Sequence, residues 1–118
     1  PFTLVVESGK VVAIEGGIDA QRYKKHLEEQ ADPKLYEICH YSFGLNPRAR
    51  LSGNIYEDER YMGCLDIGFG SQDPTWGGTV GTSPHHVDIV VASPEVLLDG
   101  QTIIVNNDLN YDLGFKRM

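Results

Sequence analysis

The opening of the chain contains two short β-rich runs with a turn between them. Residues 3–7 and 11–14 are dominated by Leu, Val and Ile, and the intervening Ser8-Gly9-Lys10 is polar and flexible. Two such runs separated by a short glycine-containing segment predict a β-hairpin. The pattern therefore places an antiparallel strand pair at the N-terminal end of the sequence.

Beyond Gly16-Gly17, the apolar residues change from strand spacing to helical spacing. Apolar positions recur one turn apart through residues 20–27, which predicts an amphipathic helix with a modestly apolar face. We expect this helix to begin at Asp19, as its N-cap, and to end near Gln30. The Asp32-Pro33 pair that follows disfavours further helix.

The remainder of the chain is rich in strands and loops. Long β-rich runs predict three strands, at residues 35–43, 62–69 and 85–92. A late hairpin is expected from residues 95–98 and 101–105, because Asp99-Gly100 is a favoured two-residue turn. We therefore predict an α+β fold, mainly antiparallel β-sheet with one helix near the N-terminus, forming a single domain over residues 1–118.

Composition narrows the class of protein. The 118 residues are 41% hydrophobic and 23% charged, which excludes a disordered chain. The net charge of −7 argues against nucleic acid, since phosphate binding needs clustered Lys and Arg. No apolar run approaches the length of a membrane span, so we expect no membrane partner.

Cys39 and Cys64 lie in apolar, strand-like runs, which favours buried thiols and a reducing, cytoplasmic compartment.

The sharpest chemical motif is a His-x-Asp pair. On a strand, His86 and Asp88 share one face while His85 points to the other. Such a pair is a platform for a divalent metal, and His40, also in a predicted strand, is the leading third ligand. Two histidines and one carboxylate suit Fe(II) with open positions, and Zn²⁺ accepts the same set. The alternative is that the histidine and the aspartate form a hydrogen-bonded pair with a purely structural role.

Other residues add context. Asp66 lies in an apolar run, and a buried carboxylate is costly unless it is paired or bound to metal, so it is a candidate further ligand or proton carrier. Trp76, in a glycine-rich loop, could wall a pocket for a flat ring or anchor a mobile loop. Residues 57–59 are a single-turn helix candidate, either solvated or a second acidic site. His26 is expected to face solvent on the helix.

Three segments together resemble the C-terminal half of the thermophilic metallo-aminopeptidases (aminopeptidases T and S). They are 40–47, 57–70 and 86–88, in which a ligand precedes Gly-x-Asn-Pro, an acidic turn leads to Gly-x-x-ligand, and His-x-Asp closes the pattern. His40 and Asp66 occupy positions where the peptidases have a glutamate and a histidine ligand. The resemblance implies that the chain is the metal-binding half of a larger aminopeptidase-like protein.

The ligand pattern is more similar to that of a family in the same superfamily, the 2,5-dihydroxypyridine 5,6-dioxygenases, which hold one non-haem Fe(II) by two histidines and an aspartate. That resemblance implies that His40, His86 and Asp88 bind Fe(II), with Zn, Co or Mn as alternatives. It implies oxidative opening of a hydroxylated pyridine or phenol ring. His85 and Asp66 are candidates to take the proton of the substrate hydroxyl.

Two other functions stay open from the sequence. One is a divalent-metal-dependent aminopeptidase with altered ligands. The other is a non-catalytic C-terminal domain that needs an N-terminal partner and serves in dimerisation. The expected partners are a small aromatic or heteroaromatic substrate and either further copies of the chain, as a homo-oligomer, or a missing N-terminal domain.

Overall fold

A computed structural model describes residues 1–116. It contains one long helix, α1 (Ile18–Gln30), and one helical turn, α2 (Ile55–Asp58). The strands are β1 (Phe2–Glu7), β2 (Lys10–Gly16), β3 (Ile38–Phe43), β4 (Leu65–Gly70), β5 (His86–Val91), β6 (Val96–Leu98), β7 (Gln101–Val105) and β8 (Asp108–Leu109). They form three sheets, in the orders β1-β2, β3-β4-β5 and β6-β7-β8. The predicted α+β fold, mainly antiparallel and with one helix near the N-terminus, is confirmed.

The chain divides into two compact units, each built from two stretches of sequence. The first unit is Pro1–His40 with Gly68–Val87, and the second is Tyr41–Ile67 with the chain from Asp88 onward. The division falls within β3, β4 and β5, so each unit contains part of each of these strands. The expectation of a single domain stays a prediction.

The first unit is built on the predicted hairpin. β1 and β2 pair antiparallel, with Leu4 opposite Ile14, and α1 packs its apolar face on this pair. Burial of these side chains is the main favourable contribution to the stability of such a unit. The buried cluster consists of Ile14, Ala20, Leu27 and Leu35.

The start of α1 differs from the prediction. The helix begins at Ile18 with Gly17 as N-cap and no capping side chain. Asp19 is the second residue of the helix and makes no capping hydrogen bond, so its prediction as N-cap is wrong. Glycine is accepted at the N-cap position without a side-chain hydrogen bond, so the helix begins earlier than the first capping side chain in the sequence predicts.

The first predicted strand after the helix begins later than expected. The side chain of Asp32 accepts a hydrogen bond from the backbone N–H of Lys34, and Pro33–Tyr36 form a 3-10 turn. Pro33 has the fixed φ that favours the first position of such a turn. Residues 35–37 are therefore not strand, and β3 begins at Ile38.

The second unit contains the predicted late hairpin and one strand that was missed. Asp99 and Gly100 have positive φ angles of 49° and 80°, as a tight hairpin turn requires. Asn106 and Asn107 repeat this conformation, with φ of 51° and 60°, and lead into β8. Asparagine tolerates the left-handed region, so the Asn-Asn pair was the signal that could have found it.

The acidic segment forms the predicted single helical turn, α2. Glu57 accepts a hydrogen bond from the backbone of Arg50, and Asp58 from the backbones of Ser52 and Gly53. These carboxylates thus hold the preceding loop in place. This finding favours a structural role over a second acidic site.

The structure also tests the expectations about the two cysteines and about membrane-spanning helices. Cys39 and Cys64 are buried thiols, with exposed fractions of 4% and 0%, as predicted. Across residues 1–116, none of the helices combines the length and the apolar character that crossing a bilayer demands.

Candidate metal centre

The structure brings His40 and His86 together in the first unit. His40 is the third residue of β3 and His86 is the first residue of β5, and 46 residues separate them in sequence. Their Nε2 atoms lie 3.2 Å apart. The rings are stacked, with centroids 5.1 Å apart and planes inclined by 22°. Two of the three predicted metal ligands therefore present the same nitrogen to one point.

Gly68 makes room for this arrangement. It lies on β4, the strand between the two histidines, and a Cβ atom there would be 2.3 Å from Nε2 of His40. Any larger side chain would displace the imidazole, because real Cβ contacts under 3.0 Å essentially do not occur. The glycine therefore allows close approach of a side chain to the central strand.

The orientation of His86 is set by the backbone. Its Nδ1 lies 2.9 Å from the carbonyl oxygen of Ser71. A carbonyl only accepts, so Nδ1 carries the hydrogen and Nε2 of the neutral ring presents a lone pair. The nitrogen that faces His40 is thus the one available to a cation, and a hydrogen bond on the opposite nitrogen is the usual way of orienting a metal-binding histidine.

The spacing of the two nitrogens fits a divalent metal. Two imidazole nitrogens bound at about 2.0–2.1 Å, in positions roughly at right angles, lie about 3 Å apart. The observed 3.2 Å is close to that separation. Two exposed imidazoles with one oriented lone pair are donors suited to Fe(II), Zn²⁺, Co²⁺ or Mn²⁺.

The predicted carboxylates lie in the second unit. Asp88 is two residues after His86 on β5 and is partly buried. Asp66 is on β4 with an exposed fraction of 2%, and its Oδ2 accepts a hydrogen bond from the Ser42 hydroxyl at 3.3 Å. The predicted burial of Asp66 is confirmed. The ligand role of Asp88 and the proton-transfer role of Asp66 stay predictions.

His85 contacts a different carboxylate. Its Nδ1 lies 3.0 Å from Oδ2 of Asp32, which has an exposed fraction of only 8%. Burial alone would raise the pKa of Asp32, but hydrogen bonds from His85, the Lys34 backbone and Ser83 outweigh it and hold that pKa below its ordinary value. The pair ties the residue before β5 to the turn after α1, and the proton-accepting role of His85 stays a prediction.

The loop before β5 is held by a residue that the sequence analysis missed. The side chain of Gln72 donates from Nε2 to the carbonyl of Cys39 at 2.5 Å and accepts from the Val80 backbone at 3.2 Å. It therefore braces the loop against the strand that carries His40. A single glutamine among glycines and prolines produces no pattern, so no sequence signal pointed to it.

The structure also tests the predictions for Trp76 and His26, and both side chains are exposed. Trp76 sits on the same loop with 82% of its surface exposed, so its interpretation as an anchor is wrong, because an anchor must pack. Its use as a pocket wall stays a prediction. His26 is exposed on α1, as expected.

Comparison with known proteins gives one consistent result. The family model described as 2,5-dihydroxypyridine 5,6-dioxygenase matches residues 1–111. A curated protein of that name from Pseudomonas putida KT2440 is 27% identical over 115 residues, covering 92% of this chain and 33% of the relative. A solved structure titled as the 2,5-dihydroxypyridine dioxygenase of the same organism has a TM-score of 0.72 at 24% identity, with the same coverage.

These matches show the family of the chain and how much of its relatives the chain covers. The resemblance to metallo-aminopeptidases is not supported by them. The chain spans about one third of the length of the curated relative and of the solved structure, and at 24% identity the latter shows the fold alone. The family match covers the two strands that carry the paired histidines. On this evidence, the chain belongs to the 2,5-dihydroxypyridine 5,6-dioxygenase (NicX) family.

Proposed function

We propose that this chain is the metal-binding part of a ring-cleaving dioxygenase that acts on a hydroxylated pyridine or phenol. The single observation that carries the proposal is the pair of Nε2 atoms 3.2 Å apart, inside the region that the dioxygenase family model matches. The name of the Pseudomonas putida relative supports the substrate class.

The residues proposed to hold the metal are His40, His86 and Asp88. The two histidines supply neutral nitrogen donors, and Asp88 supplies one negative charge from the same strand as His86. This donor set suits Fe(II), with Zn, Co or Mn as alternatives. An Fe(II) ion held by these residues would supply open coordination positions for a dihydroxylated ring and dioxygen.

The protein's own part in the reaction is to orient and to accept protons. The Ser71 carbonyl fixes the ring of His86, and Gly68 leaves space for the ring of His40. Removal of the substrate's hydroxyl proton is assigned to His85 or Asp66. His85 has a carboxylate partner in Asp32, 3.0 Å from its Nδ1, which orients its ring.

The proposal also concerns the rest of the enzyme. Because the chain spans one third of its curated relative, we propose that it is one domain of a larger dioxygenase, completed by an N-terminal domain or by further copies of the chain. In that arrangement the metal is held here and part of the substrate pocket comes from the partner.

The test is iron binding followed by turnover. The chain is loaded anaerobically with Fe(II), bound iron is measured, and 2,5-dihydroxypyridine and air are added while oxygen uptake and ring absorbance are followed. His86→Ala should lose most of its iron affinity, whereas His26→Ala, an exposed histidine far along α1, should keep it. Equal iron binding in the two variants would contradict the assigned site, and hydrolysis of leucine anilide without oxygen uptake would contradict the reaction.

A further inference from the structure

A thiol lies against the other nitrogen of His86. Sγ of Cys39 is 3.6 Å from Nδ1 of His86, whereas His40 faces Nε2. Each of these three residues offers one ligand atom, and those atoms all lie within 4.8 Å of one another. The proposed dioxygenase chemistry gives this thiol no role.

The distance suits a thiophilic metal. With bond lengths of about 2.3 Å to sulfur and 2.0–2.1 Å to nitrogen, a tetrahedral ion holds these two ligands about 3.5 Å apart. The observed 3.6 Å between Sγ of Cys39 and Nδ1 of His86 matches this value. A thiolate with imidazoles is the donor set that selects Zn²⁺, Co²⁺ or Cd²⁺ over harder cations.

We propose that Cys39 and His86, completed by His40, form a second metal-binding mode for thiophilic divalent ions, with the Cys39 proton released to solvent. In this mode His86 binds through Nδ1, so the hydrogen that Nδ1 donates to the Ser71 carbonyl, now 2.9 Å away, passes to solvent, and Nε2 takes up a proton from solvent in its place. The neutral ring then carries its hydrogen on Nε2, which no longer offers a lone pair to a cation. The two modes are therefore mutually exclusive.

A consequence follows for regulation. Zinc bound at the thiol removes His86 from the iron ligands, so thiophilic ions should oppose iron loading. This antagonism rests on the proposed function, whereas the thiol site itself rests only on the contacts of Cys39, His40 and His86. The two can thus succeed or fail separately.

The test uses Co²⁺ as a spectroscopic probe of the wild-type chain, Cys39→Ser and Cys64→Ser. Cobalt bound to a thiolate gives an intense near-ultraviolet charge-transfer band, which imidazole and carboxylate ligands alone do not give. We expect the band in the wild type and in Cys64→Ser, where the other buried thiol is removed, and its loss in Cys39→Ser. Zinc affinity should fall at least about tenfold in Cys39→Ser, because the loss of a partner that only orients a ligand already costs about that much.

The outcomes separate the two proposals. Bound cobalt without the band in the wild type, or a band that persists in Cys39→Ser, overturns the thiol site. Should Cys39→Ser fail to fold by circular dichroism, the ¹¹³Cd resonance of the wild-type chain decides instead, since a sulfur ligand shifts it strongly downfield and its absence there refutes the proposal. The cobalt band together with failure to bind iron would refute the dioxygenase assignment alone. Normal iron binding without the band would refute the thiol site alone.

Discussion

Replacing Gly68 by alanine should damage metal binding with little effect on folding. The new Cβ would lie 2.3 Å from Nε2 of His40 and 2.6 Å from its Cδ2 and Cε1, whereas ordinary contact begins at 3.4 Å. The imidazole must therefore move by about 1 Å. Because His40 is exposed on β3, its ring can swing outward, and the backbone need not change.

The energetic consequences differ for binding and for stability. A donor displaced by half its bond length of about 2 Å cannot keep its place in a site that tolerates about 0.5 Å, so metal affinity should fall about 10–100-fold. The stability change should stay within about 1 kcal/mol, since alanine in place of glycine also restricts the unfolded chain. The clash falls on an exposed side chain and not on backbone.

The assay is a Co²⁺ or Fe(II) titration of the wild type and Gly68→Ala, together with thermal unfolding of both metal-free chains. His40→Ala is the matched control, because it removes the same ligand without adding an atom to β4. Adding Gly68→Ala to the His40→Ala chain should weaken metal binding little further. Unchanged affinity in Gly68→Ala alone would refute the reasoning that this glycine positions the imidazole.

Two further predictions concern the two units separately. Asp32 has a lowered pKa in the folded chain, so its contribution to stability is complete above its ordinary value of 3.8 and is lost as the pH falls through the folded-state value. The free energy of unfolding of Asp32→Asn should therefore depend less on pH below about 4 than that of the wild type. Urea titrations at several pH values measure this, and parallel pH profiles of the two chains would contradict it. Gly63→Ala should destabilise the second unit by about 1–3 kcal/mol more than Gly53→Ala in thermal unfolding. Both glycines have left-handed φ, but a Cβ at Gly63 would lie 2.4 Å from the backbone of Asn107 while Gly53 faces open space, and equal losses would show that the contact is unimportant.

Much of the fold follows from local signals. The Asp99-Gly100 turn, the N-terminal hairpin and the helix after Gly17 depend on backbone preferences and on the period of apolar residues, which act over a few neighbours. Where a local signal had a competitor, prediction failed. Gly17 took the N-cap position predicted for Asp19, and Asp32 converted the start of a predicted strand into a 3-10 turn.

The sequence alone determined that His86 and Asp88 lie on one face of a strand as a pair of possible metal donors, because side chains two residues apart on a strand point the same way. The partnership of His40 with His86, however, depends on the order in which β3, β4 and β5 pair. The space over Gly68 and the contact of Cys39 with His86 arise in the same way. These contacts join positions 28–47 residues apart, and no local period or turn preference encodes such distances. They are decided by the packing of the whole chain, which sets strand neighbours by burying apolar surface.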